Sequence, residues 1–391
     1  RWPTCPIYDP NGNLMDHSQA LQLRDGGRDK DQKDWNYQQL QLTIEPIKNW
    51  KIYAEGNLRT TTRFNHWEVL PVYAHDGDGK PFAVSFSDDY TPGMTRVNES
   101  AWKENFYTTN LYTDYFKNLN DAHFFKVMVG FNAELLKARD ISGSRDGLIT
   151  PNVPTLNTAT ENQKSGGGYS HWSTAGFFGR INYNYKERYM LEINGRYDGT
   201  SRFVGDKRWN FFPSFSAGWN VAKEEFWQSY ENSVNTLKVR GSWGELGNQN
   251  TRALYPFFQT MPFGAANGGW IINGEKPNTS SAPGLVSSLL TWERVQSWNV
   301  GLDWGGLNNR LTGSFDYFVR KTLDMVGPAP ELPVTLGTSV PKLNNADMKS
   351  YGFELEISWR DKVGDVLYGV KGILSDTKEK VTRYPNKTGN I

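Results

Sequence analysis

The feature that most constrains this chain is a recurring alternation of apolar and polar side chains with a period of two. Between residues 297 and 304, one parity carries Trp298, Val300, Leu302 and Trp304, and the other carries Asn299, Gly301 and Asp303. Successive side chains of a β-strand point to opposite faces, so this period indicates strands. The same alternation recurs at 177–185, 189–197, 237–243 and 352–359. The chain is therefore predicted to be all-β, with one apolar and one polar face.

The lengths of the connections give the topology. The strands predicted from the alternation are 37–46, 50–60, 106–117, 122–137, 174–185, 189–199, 212–222, 236–246, 296–304, 310–321, 351–360 and 366–375. Short links alternate with longer ones, and the longest are 61–105, 138–173, 247–295 and 322–350. Bacterial outer-membrane barrels have short periplasmic turns and long extracellular loops. The prediction is therefore a transmembrane antiparallel up-and-down β-barrel rather than a Greek-key sandwich.

The composition agrees with a membrane β-protein. The 391 residues have a mean hydropathy of −0.64, yet 14% of them are aromatic. The sequence contains no apolar stretch of ~18 residues, so it predicts no transmembrane helix. The net charge of +1 gives no reason to expect nucleic acid as a partner. Aromatic residues near strand ends predict girdles at the membrane interfaces, as at Tyr183, Tyr185, Tyr189, Trp219 and Trp243.

Glycines interrupt several of these strands. The mid-strand positions are Gly179, Gly195, Gly241, Gly301 and Gly313. Glycine weakens a strand unless the sheet bends or a side chain packs across it. We expect these glycines on the apolar face, where barrel curvature and neighbouring aromatic rings would account for them.

No catalytic or metal-binding set stands out in the sequence. It lacks a Ser/His/acid arrangement, so the protein is predicted not to be an enzyme, and the five histidines lack the spacing of metal ligands. Residues 76–80 place Asp76 and Asp78 two apart, which leaves Ca²⁺ binding open. The segment lacks the later bidentate Glu of an EF-hand loop, so a solvated hairpin tip is the favoured interpretation.

Tryptophans in the predicted long loops are the candidate cargo contacts. They are Trp67, Trp102, Trp172, Trp209, Trp270 and Trp292. Flat rings stack on sugar faces, and amides bind hydroxyl groups in a cleft. The alternative is that these rings pack the loops against each other. Trp172, Trp209, Asn248 and Trp270 are the predicted substrate-binding residues.

Several phrases of the sequence resemble one known family. They include FGRINY at 178–183, YMLEINGRYDGTSRF at 189–203, LKVRGSWG at 237–244, GNQ at 247–249, NVGLD at 299–303 and NNA at 344–346. Together they cover about 174–375 and resemble the SusC/RagA family of TonB-linked outer-membrane proteins. Thr200 stands where the family's phrase has its first Ser. Residues 1–173 match the family only in style.

This resemblance implies a location in the bacterial outer membrane and a barrel of roughly 22 strands closed by a plug. Residues 1–391 are then expected to be part of such a barrel, with the signal peptide, the plug domain and the last strands not present. The resemblance also implies two partners, a SusD-like surface lipoprotein and the TonB complex. Polar residues such as Arg180, Arg196, Glu354 and Glu356 are expected to line the lumen or contact the plug.

The implied function is TonB-dependent import of nutrient oligomers. Oligosaccharides are the favoured cargo, and peptides are the alternative within the same family. A passive pore or an adhesion scaffold is the alternative of a different class. No cofactor is implied, although Ca²⁺ in the loops or on the lipoprotein stays open.

Overall fold

The computed structural model describes residues 7–15, 19–76, 78–85, 90–120, 122–251, 253–261, 263–264, 270–280, 283–329, 335 and 340–385. The chain divides into two compact units. Unit 1 comprises the described parts of 1–40, 57–107 and 135–171. Unit 2 comprises those of 41–56, 108–134 and 172–391.

Strands dominate the described residues. They are β1 (Asp29–Ile47), β2 (Trp50–Val69), β3 (Val72–His75), β4 (Pro81–Val84), β5 (Arg96–Leu119), β6 (His123–Leu148), β7 (Ala159–Tyr185), β8 (Tyr189–Thr200), β9 (Trp209–Asn220), β10 (Val234–Asn248), β11 (Phe263–Gly264), β12 (Thr279–Ser280), β13 (Glu293–Gly306), β14 (Leu311–Val326), β15 (Asn344–Val363) and β16 (Val366–Arg383). The helix α1 (Gln19–Asp25) precedes them, and short 3₁₀ helices lie at Leu156–Thr158, Gly205–Lys207, Val221–Lys223 and Glu225–Tyr230. No helix among these residues has the length and apolar character needed to cross a membrane.

Twelve of the strands form one sheet. Its order is β1-β2-β5-β6-β7-β8-β9-β10-β13-β14-β15-β16, so each strand neighbours the next long strand along the chain. The pairs from β7 to β16 are antiparallel. The predicted antiparallel meander of about twelve strands is confirmed. The hairpins β3–β4 and β11–β12 are separate two-stranded sheets.

The strand register sorts the side chains of unit 2 onto two faces. One row of partners across seven strands is Ile181, Ile193, Phe215, Trp243, Trp298, Val319 and Tyr351. The next row on the opposite face is Asn182, Glu192, Ser216, Ser242 and Asn299. The predicted division into an apolar and a polar face is therefore confirmed. Many residues of the apolar face are exposed, as Val300 is at 51%.

The strands extend well beyond the lengths predicted from the alternation. The predicted loop 61–105 contains the end of β2 and the start of β5, and the predicted loop 138–173 contains much of β6 and β7. These extensions carry polar pairs in unit 1, such as Arg63 with Asp31 at 2.6 Å and Arg96 with Asp146 at 2.6 Å. The prediction of loops there was wrong. Backbone hydrogen bonds between strands do not depend on side-chain polarity, so the strands continue where both faces are polar. The alternation of apolar and polar residues that predicts a strand is absent from such segments.

One of the five mid-strand glycines lies on the other face from the one expected. Gly241 of β10 pairs with Val300 of β13, and Gly313 of β14 pairs with Trp304 of β13. Both glycines therefore lie on the apolar face. A Cβ added to Gly301 would instead meet the guanidinium of Arg240 and a carboxylate oxygen of Asp316. Gly301 therefore belongs to the polar face. Its lack of a side chain leaves the space that the guanidinium of Arg240 occupies.

The segment 76–80 forms the tip of the β3–β4 hairpin, as its favoured interpretation predicted. Oδ1 of Asp76 accepts backbone N–H groups from Asp78 at 3.0 Å and from Lys80 at 2.8 Å. The side chains of Asp76 and Asp78 are exposed. Gly77 lies outside the described residues. The carboxylate of Asp76 thus closes a turn, which is a common role for Asp.

Candidate functional site

The polar face of β7–β10 and β13–β14 carries a set of interacting polar side chains in unit 2. We call it the polar wall and define it by Arg180, Asn182, Glu192, Asn194, Lys238, Arg240, Asn299, Asp303 and Asp316. A concavity of ≈ 460 Å³ lies against this wall. Its lining includes Asn182, Glu192, Ser216, Arg240 and Asn299. The strand register explains the grouping, since all these residues have the polar parity.

Arg240 is the centre of the polar wall. Its Nη1 and Nη2 donate to the two carboxylate oxygens of Asp316, both at 2.6 Å. Its Nε and Nη2 donate to Asp303 at 3.1–3.3 Å. A planar guanidinium has a fixed fork of donors, so a bidentate pair sets its orientation as well as its position. Arg240 therefore ties β10 to β13 and to β14.

A second polar network lies beside the first, on β7 and β8. Asn182 donates to Glu192 at 2.5 Å, and Asn194 donates to the other oxygen of Glu192 at 2.8 Å. Arg180 donates to Asn194 at 2.6 Å. The amides and the carboxylate hold each other in place, and Asn182 and Glu192 line the concavity.

The charges of the polar wall balance. Arg180, Lys238 and Arg240 are cationic, and Glu192, Asp303 and Asp316 are anionic. A balanced surface produces little long-range field, so it neither attracts nor repels ions strongly. What it offers is a dense set of hydrogen-bond donors and acceptors. Such a surface suits an uncharged, hydroxyl-rich or amide-rich partner.

The apolar face of unit 2 carries two bands of aromatic rings. One band contains Tyr185, Tyr189 and Trp219, whose neighbouring centroids are 6.3 and 6.5 Å apart. The other contains Phe131, Phe177, Tyr197 and Trp209, with Tyr197 and Trp209 5.2 Å apart. Tyr197 follows Tyr189 by eight positions on β8, which is about 26 Å along a strand. A strand tilt of ~40° reduces this to roughly 20 Å of height, so the two bands lie just inside the edges of an apolar layer ~25 Å tall.

The predicted substrate-binding residues lie in different surroundings. Trp172 is in β7, where the guanidinium of Arg202 lies 5.6 Å from its ring. Trp209 begins β9 and belongs to the second aromatic band on the apolar face. Asn248 ends β10 and donates to Glu293 at 2.8 Å. Trp270 is 78% exposed. A cargo role for each of the four stays a prediction.

The DGTSRF segment at 198–203 builds a packed corner rather than an open binding surface. Phe203 is 1% exposed and packs edge-on against Trp292, which also contacts Phe212. Arg202 donates to the carbonyl of Thr251 at 2.7 Å. The phrase is therefore structural, because it holds the chain that leaves β8 against the start of β13.

Sequence reasoning missed the central contact of the polar wall. The alternation at 237–243 and 297–304 predicts Arg240 and Asp303 on the polar face, but no feature of the sequence joins them to Asp316. The three residues lie on three strands, and only the register brings them together. Gly301, which pairs with Arg240 on one side and with Asp316 on the other, is the one sequence feature that indicates this contact. A glycine within a strand leaves room for a large neighbouring side chain.

Comparison with known proteins decides the family. The family model described as "TonB dependent receptor-like, beta-barrel" matches residues 6–390. The chain belongs to this family. It is therefore an outer-membrane protein, and the apolar face with its aromatic bands is the lipid-facing side of a transmembrane β-barrel wall. The polar wall then faces the barrel lumen.

Individual relatives agree with this family. The chain is 28% identical over 380 residues to "TonB-dependent receptor SusC" of Bacteroides thetaiotaomicron, a match that covers 91% of this chain and 36% of that protein. It is 31% identical over 210 residues to "TonB-dependent receptor P3" of Formosa agariphila, covering 54% of this chain and 20% of that one. The chain thus spans about a third of the length of its SusC relative.

Solved structures give the same fold. "Structure of the RagAB peptide transporter" superposes with a TM-score of 0.80 at 18% identity, covering 96% of this chain and 40% of that chain. The siderophore receptor PiuA from Acinetobacter baumannii superposes with a TM-score of 0.50 at 13% identity, covering 91% of this chain and 48% of that chain. At these identities the likeness concerns the fold of this barrel family.

Proposed function

We propose that this protein forms the barrel wall of a TonB-dependent importer that takes up oligosaccharides with a SusD-like surface lipoprotein. The observation that carries the cargo class is the charge balance of the polar wall. Sugar oligomers are neutral and rich in hydroxyl groups, and each hydroxyl can both donate and accept. A wall of amides, hydroxyls and paired charges can exchange hydrogen bonds with such a chain as it passes.

The import mechanism follows from the energetics of the outer membrane. Oligomers too large for a passive pore must be accumulated against a gradient, and the outer membrane has no energy source of its own. We propose that the TonB complex supplies this energy through a plug domain carried by the full-length protein. The polar wall, including Arg240 and Asp316, would form part of the lumen surface that meets the plug and the cargo.

Peptides are the second candidate cargo. The amides and hydroxyls of Asn182, Ser216 and Asn299 can pair with peptide backbone groups as well as with sugar hydroxyls. A relative of the same fold is described as the RagAB peptide transporter. Charged peptides, however, gain little from a balanced wall, and this favours sugar oligomers.

The test is uptake of a labelled neutral oligosaccharide and of a labelled peptide by cells that make the full-length protein, with and without TonB. We expect oligosaccharide uptake that is lost without TonB. Uptake that persists without TonB would point to a passive pore, and uptake of the peptide alone would reassign the cargo. Cells without the protein give the background.

A matched pair of variants tests the role of the polar wall. Ser216 lines the concavity, whereas its neighbour Phe215 lies on the apolar face of β9, where it pairs with Ile193. Ser216→Trp should reduce uptake by narrowing the concavity, and Phe215→Trp should leave uptake unchanged. Trp172→Ala and Trp270→Ala test the predicted external contacts in the same assay. Equal uptake by both β9 variants would remove the polar wall from the transport path.

A further inference from the structure

One connection at the short-turn end of the sheet is different from the others. The other described links at this end lie at 48–49, 120–122, 186–188, 307–310 and 364–365. The link from β9 to β10 runs from 221 to 233 and contains two consecutive 3₁₀ helices. Barrel closure at this end requires only a short turn, so the extra residues need another explanation.

The second of these helices, Glu225–Tyr230, exposes large aromatic side chains. Phe226 is 61% exposed and Tyr230 is 59% exposed. Both contact Trp227, at centroid distances of 6.4 and 5.5 Å. The indole of Trp227 donates to the carbonyl of Val234 at 2.9 Å, which fixes the cluster to the start of β10. Clustered rings on a fixed support are an interaction surface rather than scattered exposure.

Glu224 attaches this cluster to the lipid-facing aromatic band. The Glu224 residue is 8% exposed, and Oε1 accepts the indole N–H of Trp219 at 2.9 Å. The hydroxyl of Tyr189 also donates to Glu224, and Arg188 donates to its other oxygen at 3.3 Å. Trp219 and Tyr189 belong to the aromatic band of the apolar face. The cluster therefore begins directly beneath the lipid-facing surface.

We propose that residues 224–230 are an interfacial anchor whose partner is the phospholipid of the inner leaflet of the outer membrane. Phe226 and Tyr230 insert at the boundary between headgroups and acyl chains, where amphipathic rings are favoured. Continuity with the aromatic band identifies the occupant, because the lipid that covers Trp219 also reaches the cluster. Lys223 is paired with Glu187, and Arg188 is paired with Glu224 and Glu225, so the aromatic rings rather than a cationic patch make the contact with lipid. The anchor fixes the depth of β9 and β10 in the membrane.

A different occupant would give a different result. A domain of the full-length protein, or another periplasmic protein, could cover the same rings. It would protect them from water without exposing them to lipid. A fully solvated cluster would be open to water and not to lipid. Lipid-borne and aqueous quenchers together separate these three states.

The experiment uses the full-length protein, with no other cysteine, in lipid nanodiscs. A fluorophore is attached through Phe226→Cys, and through Asp365→Cys at the exposed tip of the β15–β16 link as the matched control. We expect phospholipids with a quencher near the headgroup to remove much of the fluorescence at 226 and little at 365. Aqueous iodide should give the opposite order. Iodide quenching at 226, or protection from both quenchers, would overturn the proposal.

A second variant tests the attachment. Glu224→Gln removes the carboxylate that accepts from Trp219, Tyr189 and Arg188, while the strands should keep their circular-dichroism signal. Lipid quenching at 226 should then fall and iodide quenching should rise. Unchanged lipid quenching in this variant would contradict the role of Glu224 in placing the anchor.

Discussion

The guanidinium of Arg240 lies directly over Gly301 of the neighbouring strand. Its Cζ is 2.5 Å from the position that a Cβ at residue 301 would occupy, and Oδ1 of Asp316 is 2.8 Å from it. A Cβ at this place on the polar wall would push the guanidinium aside and disturb the ion pair that joins β10, β13 and β14, and glycine leaves that space free.

The first prediction follows from this contact. Gly301→Ala should lower the free energy of unfolding by about 1–3 kcal/mol, since the methyl group forces Arg240 from its partners. Gly241→Ala is the matched control, because the nearest atom to its added Cβ is 3.8 Å away. That substitution should be neutral or slightly stabilising. Denaturant titration in lipid vesicles measures both, and equal effects would contradict the packing described.

Arg240 itself gives the second prediction. Arg240→Met leaves the carboxylates of Asp303 and Asp316 close together without their shared cation. We expect a loss of about 1–3 kcal/mol in the free energy of unfolding, moderated by the partial exposure of these side chains. Arg180→Met is the control, since Arg180 is more exposed and has one close hydrogen bond, to Asn194. A smaller loss in Arg240→Met than in the control would refute the central role of Arg240.

Neighbouring residues of β9 test which face meets lipid. Phe215 lies on the apolar face between Trp209 and Trp219, and Ser216 lines the concavity of the polar wall. Phe215→Arg should cost ~2–4 kcal/mol near the membrane midplane, whereas Ser216→Arg should cost much less beside Glu192. Folding yield and denaturant titration in vesicles give both values. The reverse order would exchange the two faces.

The outer part of β2 contains a histidine between two carboxylates. Nδ1 of His66 is 2.6 Å from Glu99, and Nε2 is 3.0 Å from Glu68. His66 lies beyond the spanning segment predicted at 50–60. The hydrogen bond with Glu99, and then that with Glu68, raises the pKa of His66 above its ordinary value of 6.5. The imidazolium form is therefore favoured in the folded state.

The pH dependence follows with a definite sign. Because the folded pKa is raised, the contribution of His66 to stability is fully present below the unfolded pKa of about 6.5. It is lost as the pH rises through the folded pKa. Amide hydrogen exchange in the outer part of the β2–β5 ladder should therefore become faster over that pH range. The His66→Gln variant is the control, because its exchange rises only through intrinsic base catalysis, and the wild-type rate should rise more steeply. Glu99→Gln should lower the His66 midpoint in an NMR titration, and an unchanged midpoint would contradict the assignment.

The transmembrane strands could be predicted from the sequence because lipid and lumen impose opposite polarity on alternate residues. The alternation at 297–304 placed β13 and its two faces correctly. It failed at 138–173, where β6 and β7 continue with polar residues on both faces. A strand with two polar faces has no alternation of apolar and polar residues in its sequence. The loop predicted at 138–173 was therefore wrong.

The aromatic residues show the same limit. Tyr189 and Trp219 were predicted to lie in a girdle, and the structure places them side by side in one. The sequence pattern predicts a loop at Trp209, because the strand that it begins has no apolar alternation before Phe211. Its neighbours Tyr197 and Phe177 are on other strands, and their proximity depends on register.

The sequence by itself determined the all-β class, the order of the meander and the polarity of each face, since these depend on side-chain parity and on link length. The tertiary structure decided which polar residues meet. Arg240, Asp303 and Asp316 lie on three different strands, and no sequence motif joins them. A shift of one residue in the register of any of these strands would turn its polar side chains to the lipid side. The attachment of Glu224 to Trp219 and Tyr189 also depends on three segments folded against each other. Local pattern specifies the faces of a sheet, whereas contacts between strands exist only after the register is fixed.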